Sequence, residues 1–160
     1  MRPTSLLPVA LLALASCSSE PAAPDPVGRW EFVVDATVEA NRSVIIGEFG
    51  EQGPAALETA LGLLEQSFEG AEMHFELAED GTLTGHRSQP VISTGQTYER
   101  DENGSWARTA PESGELVLTI VDPNDDAYSI ERAATVAGDR LEVETRQGTA
   151  TMTFVFERVR

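Results

Sequence analysis

Met73-His74-Phe75-Glu76-Leu77-Ala78-Glu79-Asp80-Gly81-Thr82 is the stretch that decides how the folded part of this chain is read. Side chains alternate across a strand, so Met73, Phe75 and Leu77 share one face while His74 and Glu76 share the other. Asp80-Gly81 then supplies a tight turn, because glycine accepts the positive φ that a two-residue hairpin demands. The alternation resumes with Leu83, Gly85 and Arg87. Strand, tight turn and returning strand make the repeating unit of an antiparallel meander.

Downstream the same texture continues. Strands are predicted over 96–100, 105–108, 115–121, 127–134, 140–145 and 149–159, with turns at Asn103-Gly104, 111–114, 122–126, Gly138-Asp139 and Gln147-Gly148. A meander of this kind hides its edges most simply by closing on itself. The expected fold is therefore mainly β: an antiparallel barrel of about eight strands.

Upstream the period changes. Trp30, Phe32 and Val34 are in phase and predict a first strand over 28–34. Gly53 and Pro54 suit a helix start and Gly70 suits the residue past its end. Between them Leu57, Leu61, Leu64 and Phe68 form a stripe at helical spacing. A shorter helix is expected over 41–49, so a helical insert occupies roughly 41–70. Its apolar stripe serves either as core or as a movable lid over a cavity.

Farther upstream, Arg2 precedes an apolar run from Leu6 to Ala15 that contains Pro8. A basic residue, a short apolar run and then small residues are the parts of a secretory signal, expected here over 1–16. The run is well short of the roughly 20 apolar residues that a permanent transmembrane helix needs. Cys17 is the only cysteine in the chain, so an internal disulfide is excluded. Residues 17–26 carry three prolines and little apolar bulk, which predicts an extended tether of roughly 28 Å. One domain is then expected over 27–160.

The 160-residue chain has a net charge of −16, and all eleven of its basic residues are arginine. Removing Arg2 with the signal takes the charge to −17. That excess argues against binding nucleic acid or anionic lipid by charge. Residues 43–86 hold nine acids and neither Lys nor Arg, which reads as a solvated face or as a docking face for a basic partner.

Two resemblances follow from these residues. Leu14-Ala15-Ser16-Cys17 resembles the bacterial lipobox, which implies a diacylglyceryl group on Cys17 and anchoring to a membrane in the cell envelope. Ser18 in place of aspartate resembles the signal for the outer rather than the inner membrane. Gly28-Arg29-Trp30 resembles the G-x-W signature of the lipocalin and fatty-acid-binding-protein group, the calycins. The set most similar to this chain is the small lipocalin-like envelope proteins of bacteria, which combine G-x-W, a helical insert and an apolar strand ending in Asp-Gly-Thr. The resemblance implies that Gly28, Trp30 and Arg158 close the barrel, with Arg158 lying over Trp30. Parity agrees, because Met152, Phe154, Phe156 and Arg158 are in phase. Such a cation–π contact contributes ~0.5–2 kcal/mol. Phe156-Glu157-Arg158 departs from the R-x-Y clamp of fatty-acid-binding proteins, so no fatty-acid site transfers.

Catalytic constellations are sparse. His74 and His86 are the only histidines, no H-x-x-x-H pair suggests zinc, and no serine sits in G-x-S-x-G. Residues 122–126 are acidic but lack the glycine and distant glutamate of an EF-hand, so they read as a turn rather than a calcium site. Neither an enzyme activity nor a cofactor or metal is expected. Arg132 is in phase with Tyr128 and Ile130, and Arg108 with Trp106. If those faces point inward, each arginine needs an anionic partner from the protein or from a ligand, which makes Arg108, Tyr128 and Arg132 the ligand-binding candidates. Two functions compete: a tethered barrel that binds a small apolar or amphiphilic molecule, and a solid barrel that engages another envelope protein. An interior cavity of ~300 Å³ or more distinguishes the first.

Overall fold

Eight antiparallel strands close into a barrel in chain order, each bonded to the next and the last to the first. The computed structural model describes residues 23–91, 93–122, 125–147 and 150–160, with the side chains of 125–128 and 147 outside that description. The expected signal, Cys17 and the tether as far as residue 22 lie outside the described residues, as do 123–124 of the acidic turn and Gly148. The order is β1 (Gly28–Phe32), α1 (Val34–Phe49), a 3-10 turn (Gly50–Gln52), α2 (Pro54–Phe68), β2 (Glu72–Leu77), β3 (Thr82–Val91), β4 (Gln96–Arg108), β5 (Glu115–Asp122), β6 (Asp125–Ala137), β7 (Arg140–Gln147) and β8 (Ala150–Arg158). The fold is the mainly β barrel, with helices after its first strand, that the sequence led us to expect.

Two boundaries differ from expectation. The first strand stops at Phe32, and α1 begins at Val34 rather than near residue 41. Beyond Phe32 the upper part of β8 is partnered by α1 instead of by a strand. Val33 N donates to Val155 O at 2.9 Å, and Val155 N donates to Thr37 Oγ1 at 2.9 Å. Asn41 Nδ2 donates to Thr153 O at 2.7 Å while Asn41 Oδ1 accepts from Thr153 N at 2.8 Å, so its amide imitates a peptide unit of the missing strand. The second difference concerns Asn103-Gly104, which is not a turn. β4 runs unbroken through it, with Gly104 paired to Leu83 on one side and Ile120 on the other. A Cβ at Gly104 would lie 1.9 Å from Thr119 O, so glycine is there for close strand approach, not for reversal.

The barrel has two unlike ends. The turns after β2, β4 and β6 lie at the end where β1 begins, and residues 24–27 cover it. Arg108 Nη2 donates to Pro24 O at 2.6 Å and Trp30 Nε1 to Pro26 O at 2.9 Å. The last residues of the expected tether thus belong to the fold. Trp30, Leu77, Leu83, Leu116, Val136 and Leu141 are almost fully buried and fill this closed half. At the opposite end, the mouth, Phe68 at the end of α2 inserts between Phe32 and Phe154, with ring centroids 5.5 Å away in both cases. Burying one such ring contributes about 1.5–3 kcal/mol. The α2 stripe is therefore core at Leu64 and Phe68, with Leu57 and Leu61 packed against it.

Candidate functional site

Above the filled half, the inward positions of β3, β4 and β6 change character. Leu83 and Gly85 are followed on the inner face by Arg87, and Arg100 and Glu102 precede Gly104 and Trp106 on theirs. Arg87 and Arg100 are direct cross-strand partners. Two like charges opposite each other on one face repel, and more so when water is scarce. Glu102, whose side chain is only 4% exposed, relieves part of this: its Oε1 lies 3.4 Å from Arg87 Nη2. Arg132 reaches the same group from β6. Burial holds its guanidinium below the usual arginine range; the Glu102 carboxylate opposes that shift, and the Arg87 and Arg100 charges add to it. These three cations and one anion, counted among the described side chains, sum to +2.

The group is incomplete in hydrogen bonds as well as in charge. Arg87 Nε, Arg100 Nε, Arg132 Nε and Thr145 Oγ1 are buried without a partner. Each orphaned polar atom costs roughly 1–3 kcal/mol, more for a charged group. Thr145 comes from β7, at the place where the barrel wall opens. Among the described residues the β6–β7 ladder ends at Ala134 and Val143, so the next inward positions, Arg132 and Thr145, lie beyond it.

Two clefts open near the mouth, of which the first reaches the group at Arg87 and the second contains none of its residues. One, of about 540 Å³, lies between the end of α2 and the β3–β4 hairpin and has Arg87, Gln89 and Tyr98 in its wall. The other is an apolar groove of about 860 Å³ between α1, α2 and the start of β8, lined by Ile45, Phe49, Ala60, Leu63 and Met152. Leu63 is 54% exposed there. Met152 joins groove to barrel, because it is the β8 partner of Thr145.

The expected candidates fall in different places. Arg132 belongs to the interior group. Tyr128 lies in β6, its side chain outside the described residues. Arg108 sits at the closed end, where its second bond, from Nη1 to Ser113 O at 2.6 Å, leaves both of its terminal nitrogens engaged. Arg158 lies with its guanidinium carbon 4.3 Å from the centroid of Trp30. It also donates to Val27 O and Asp25 O. Gly28 adopts φ 135°, and a Cβ there would meet Arg158 Nη1 at 3.0 Å, so the glycine of G-x-W makes room for the arginine. Sequence reasoning missed Arg87, Arg100, Glu102 and Thr145. The signal that finds Arg100 and Glu102 is the unbroken parity of 100, 102, 104, 106 and 108, which a turn at Asn103-Gly104 conceals; the signal for Arg87 is its phase with Leu83 and Gly85.

The histidines lie on the outer surface, in a cross-strand row running Glu31, His74, His86 and Asp101. Their rings are 6.0 Å apart, and His86 Nδ1 is 2.8 Å from Asp101 Oδ1. Among the described residues no group of three or more His, Cys, Asp or Glu side chains is placed to hold a metal.

No protein-family model matches this chain, and no curated protein does. Several solved structures are similar at low sequence identity. One is As-p18, an extracellular fatty acid binding protein, with a TM-score of 0.41 at 11% identity, covering 87% of this chain and 100% of that one. A Schistosoma mansoni fatty acid binding protein in complex with arachidonic acid gives 0.38 at 14%, over 84% and 96%. Secretory abundant heat soluble protein 4 from Ramazzottius varieornatus gives 0.39 at 14%, over 89% and 100%.

Proposed function

We propose that this protein is a non-enzymatic carrier, tethered to the envelope by a lipid on Cys17, that holds a small amphiphilic molecule by its acidic end. One observation carries the reading: a half-buried group of Arg87, Arg100, Arg132 and Glu102, whose described side chains sum to +2 and whose three arginine Nε atoms are buried without a partner, inside a chain whose overall charge is −16. Removing cations from water without partners is costly. An anion seated among Arg87, Arg100 and Arg132 offsets that cost, and the apolar groove beside Met152 suits the remainder of an amphiphile. The lipobox-like segment and the lone cysteine support the tether, and Ser18 supports the outer membrane as its location.

The rival reading, a solid interaction module, draws support from the filled closed half of the barrel. It leaves the orphaned arginine nitrogens without a purpose. Native mass spectrometry of residues 18–160, expressed in bacteria and purified without detergent, separates the two. The carrier reading expects an adduct of small-molecule mass that Arg132→Gln removes. A bare chain with a stoichiometric protein partner in an envelope pull-down overturns it. For the tether, Cys17→Ala is expected to move the full-length protein from the membrane to the soluble fraction.

A further inference from the structure

The hairpin between β2 and β3 makes His74 and His86 direct cross-strand partners on the outer wall of the barrel. We propose that this pair holds a divalent transition-metal ion, copper(II) in preference to zinc. The site lies apart from the interior arginine group and does not depend on the carrier reading. Neutral imidazole is a favoured ligand of such ions, and two imidazoles on facing strands act as a chelate. The rings stand 6.0 Å apart between centroids and are tilted by 30°. A metal about 2.0–2.1 Å from one nitrogen of each ring brings the centroids to roughly 5 Å, a closure that side-chain rotation supplies at the surface.

Asp101 prepares His86 for this role. His86 Nδ1 lies 2.8 Å from Asp101 Oδ1, and an ionised carboxylate only accepts, so the proton sits on Nδ1. Nε2 keeps its lone pair. The two nitrogens lie on opposite flanks of the ring, so with Nδ1 turned to β4 the free nitrogen faces the β2 side, where His74 stands. A carboxylate on the far nitrogen is the usual companion of a metal-bound histidine, because it fixes the tautomer and raises ligand basicity. Oxygen ligands are at hand as well. Glu31 is the cross-strand partner of His74, and Glu31, Glu72 and His74 share the wall of a cleft of about 240 Å³. Arg29 Nε lies 3.3 Å from Glu31 Oε1, with both side chains half-exposed, and such a pair is weak enough to yield. Among the described residues no third His, Cys, Asp or Glu side chain is already placed to ligate, so water completes the sphere. Structural zinc draws four ligands from the protein. Two imidazole nitrogens with oxygens in the other positions suit the tetragonal preference of copper(II), which also heads the affinity order of the divalent ions.

The test titrates copper(II) into chain 17–160 carrying Cys17→Ser, which retains every described residue and removes the one thiol that would compete for the metal. Calorimetry is expected to show one ion per chain, and electron paramagnetic resonance a tetragonal spectrum split by two imidazole nitrogens. His74→Gln and His86→Gln, both on the outer surface and clear of the core, are each expected to weaken binding at least about tenfold and to leave one nitrogen in the spectrum. Affinity unmoved by either substitution overturns the site. Asp101→Ala separates positioning from ligation: the two-nitrogen spectrum is expected to persist while affinity falls about tenfold. Unchanged affinity there overturns the part given to Asp101. Zinc(II) is expected to bind at least about tenfold more weakly than copper(II), and equal affinity overturns the choice of metal.

Discussion

Gly28, Trp30 and Arg158 act as one unit at the residue scale, since the absent Cβ of the first admits the guanidinium that covers the second. Trp30→Ala is expected to cost about 3–5 kcal/mol in urea unfolding. Its coupling with Arg158→Ala in a double-mutant cycle should be about 0.5–2 kcal/mol, and additive losses would count against barrel closure by this pair. This contact was legible because Arg158 is in phase with Phe154 and Phe156 at the end of an uninterrupted strand. The arginine group was legible only at Arg132, which is in phase with Tyr128 and Ile130. Asn-Gly is the commonest sign of a hairpin, and at 103–104 it marks instead a strand that lies too close to Thr119 for any side chain. Gly104→Ala is accordingly expected to cost about 2 kcal/mol or more, read as a fall in the thermal midpoint. A neutral outcome would mean that β4 can move away from β5.

At the scale of elements, α1 stands in for a strand. Thr37 and Asn41 are buried polar residues whose side chains satisfy the free backbone groups of Thr153 and Val155. Asn41→Ala leaves both groups of Thr153 without these partners and is expected to cost roughly 2–4 kcal/mol. Hydrogen exchange should show the Thr153 amide losing protection first. Gly62→Ala on α2 is the opposing control: nothing lies within 4 Å of the added Cβ, so a gain of up to about 1 kcal/mol is expected. The early start of α1 escaped the sequence for the same reason that it matters. Helix recognition relies on an apolar stripe, and here polar residues face inward while Val34 prolongs the alternation of Trp30 and Phe32. The stripe of α2 follows the ordinary rule, from Leu57 to Phe68, and was read correctly.

Across the whole molecule, charge is sorted: acids cover the outside, and three of the eleven arginines are drawn into the barrel. Sequence shows the total and not the sorting, because strand parity across a mistaken turn is lost. On the outer face, partial burial, with Arg29 and His86 nearby, holds the His74 imidazole below its ordinary range despite Glu31 and Glu76. The unfolded chain therefore binds the proton more readily than the fold does. His74 stabilises the protein above about pH 6.5, and that contribution is lost as pH falls below it. His74→Gln should flatten the decline in thermal midpoint between about pH 7 and 5, and an unaltered decline would assign it elsewhere. A last consequence comes from the strap of residues 24–27, which is stitched to the floor by Arg108, Trp30 and Arg158 while both helices sit at the opposite pole. Between Cys17 and that floor only residues 18–23 intervene, a reach of at most about 25 Å. On the proposed tether at Cys17, the barrel would hang from a membrane floor-first, its mouth directed into the aqueous compartment. Cargo would then be exchanged with a soluble donor or a facing bilayer, and not drawn sideways out of the leaflet that holds the anchor.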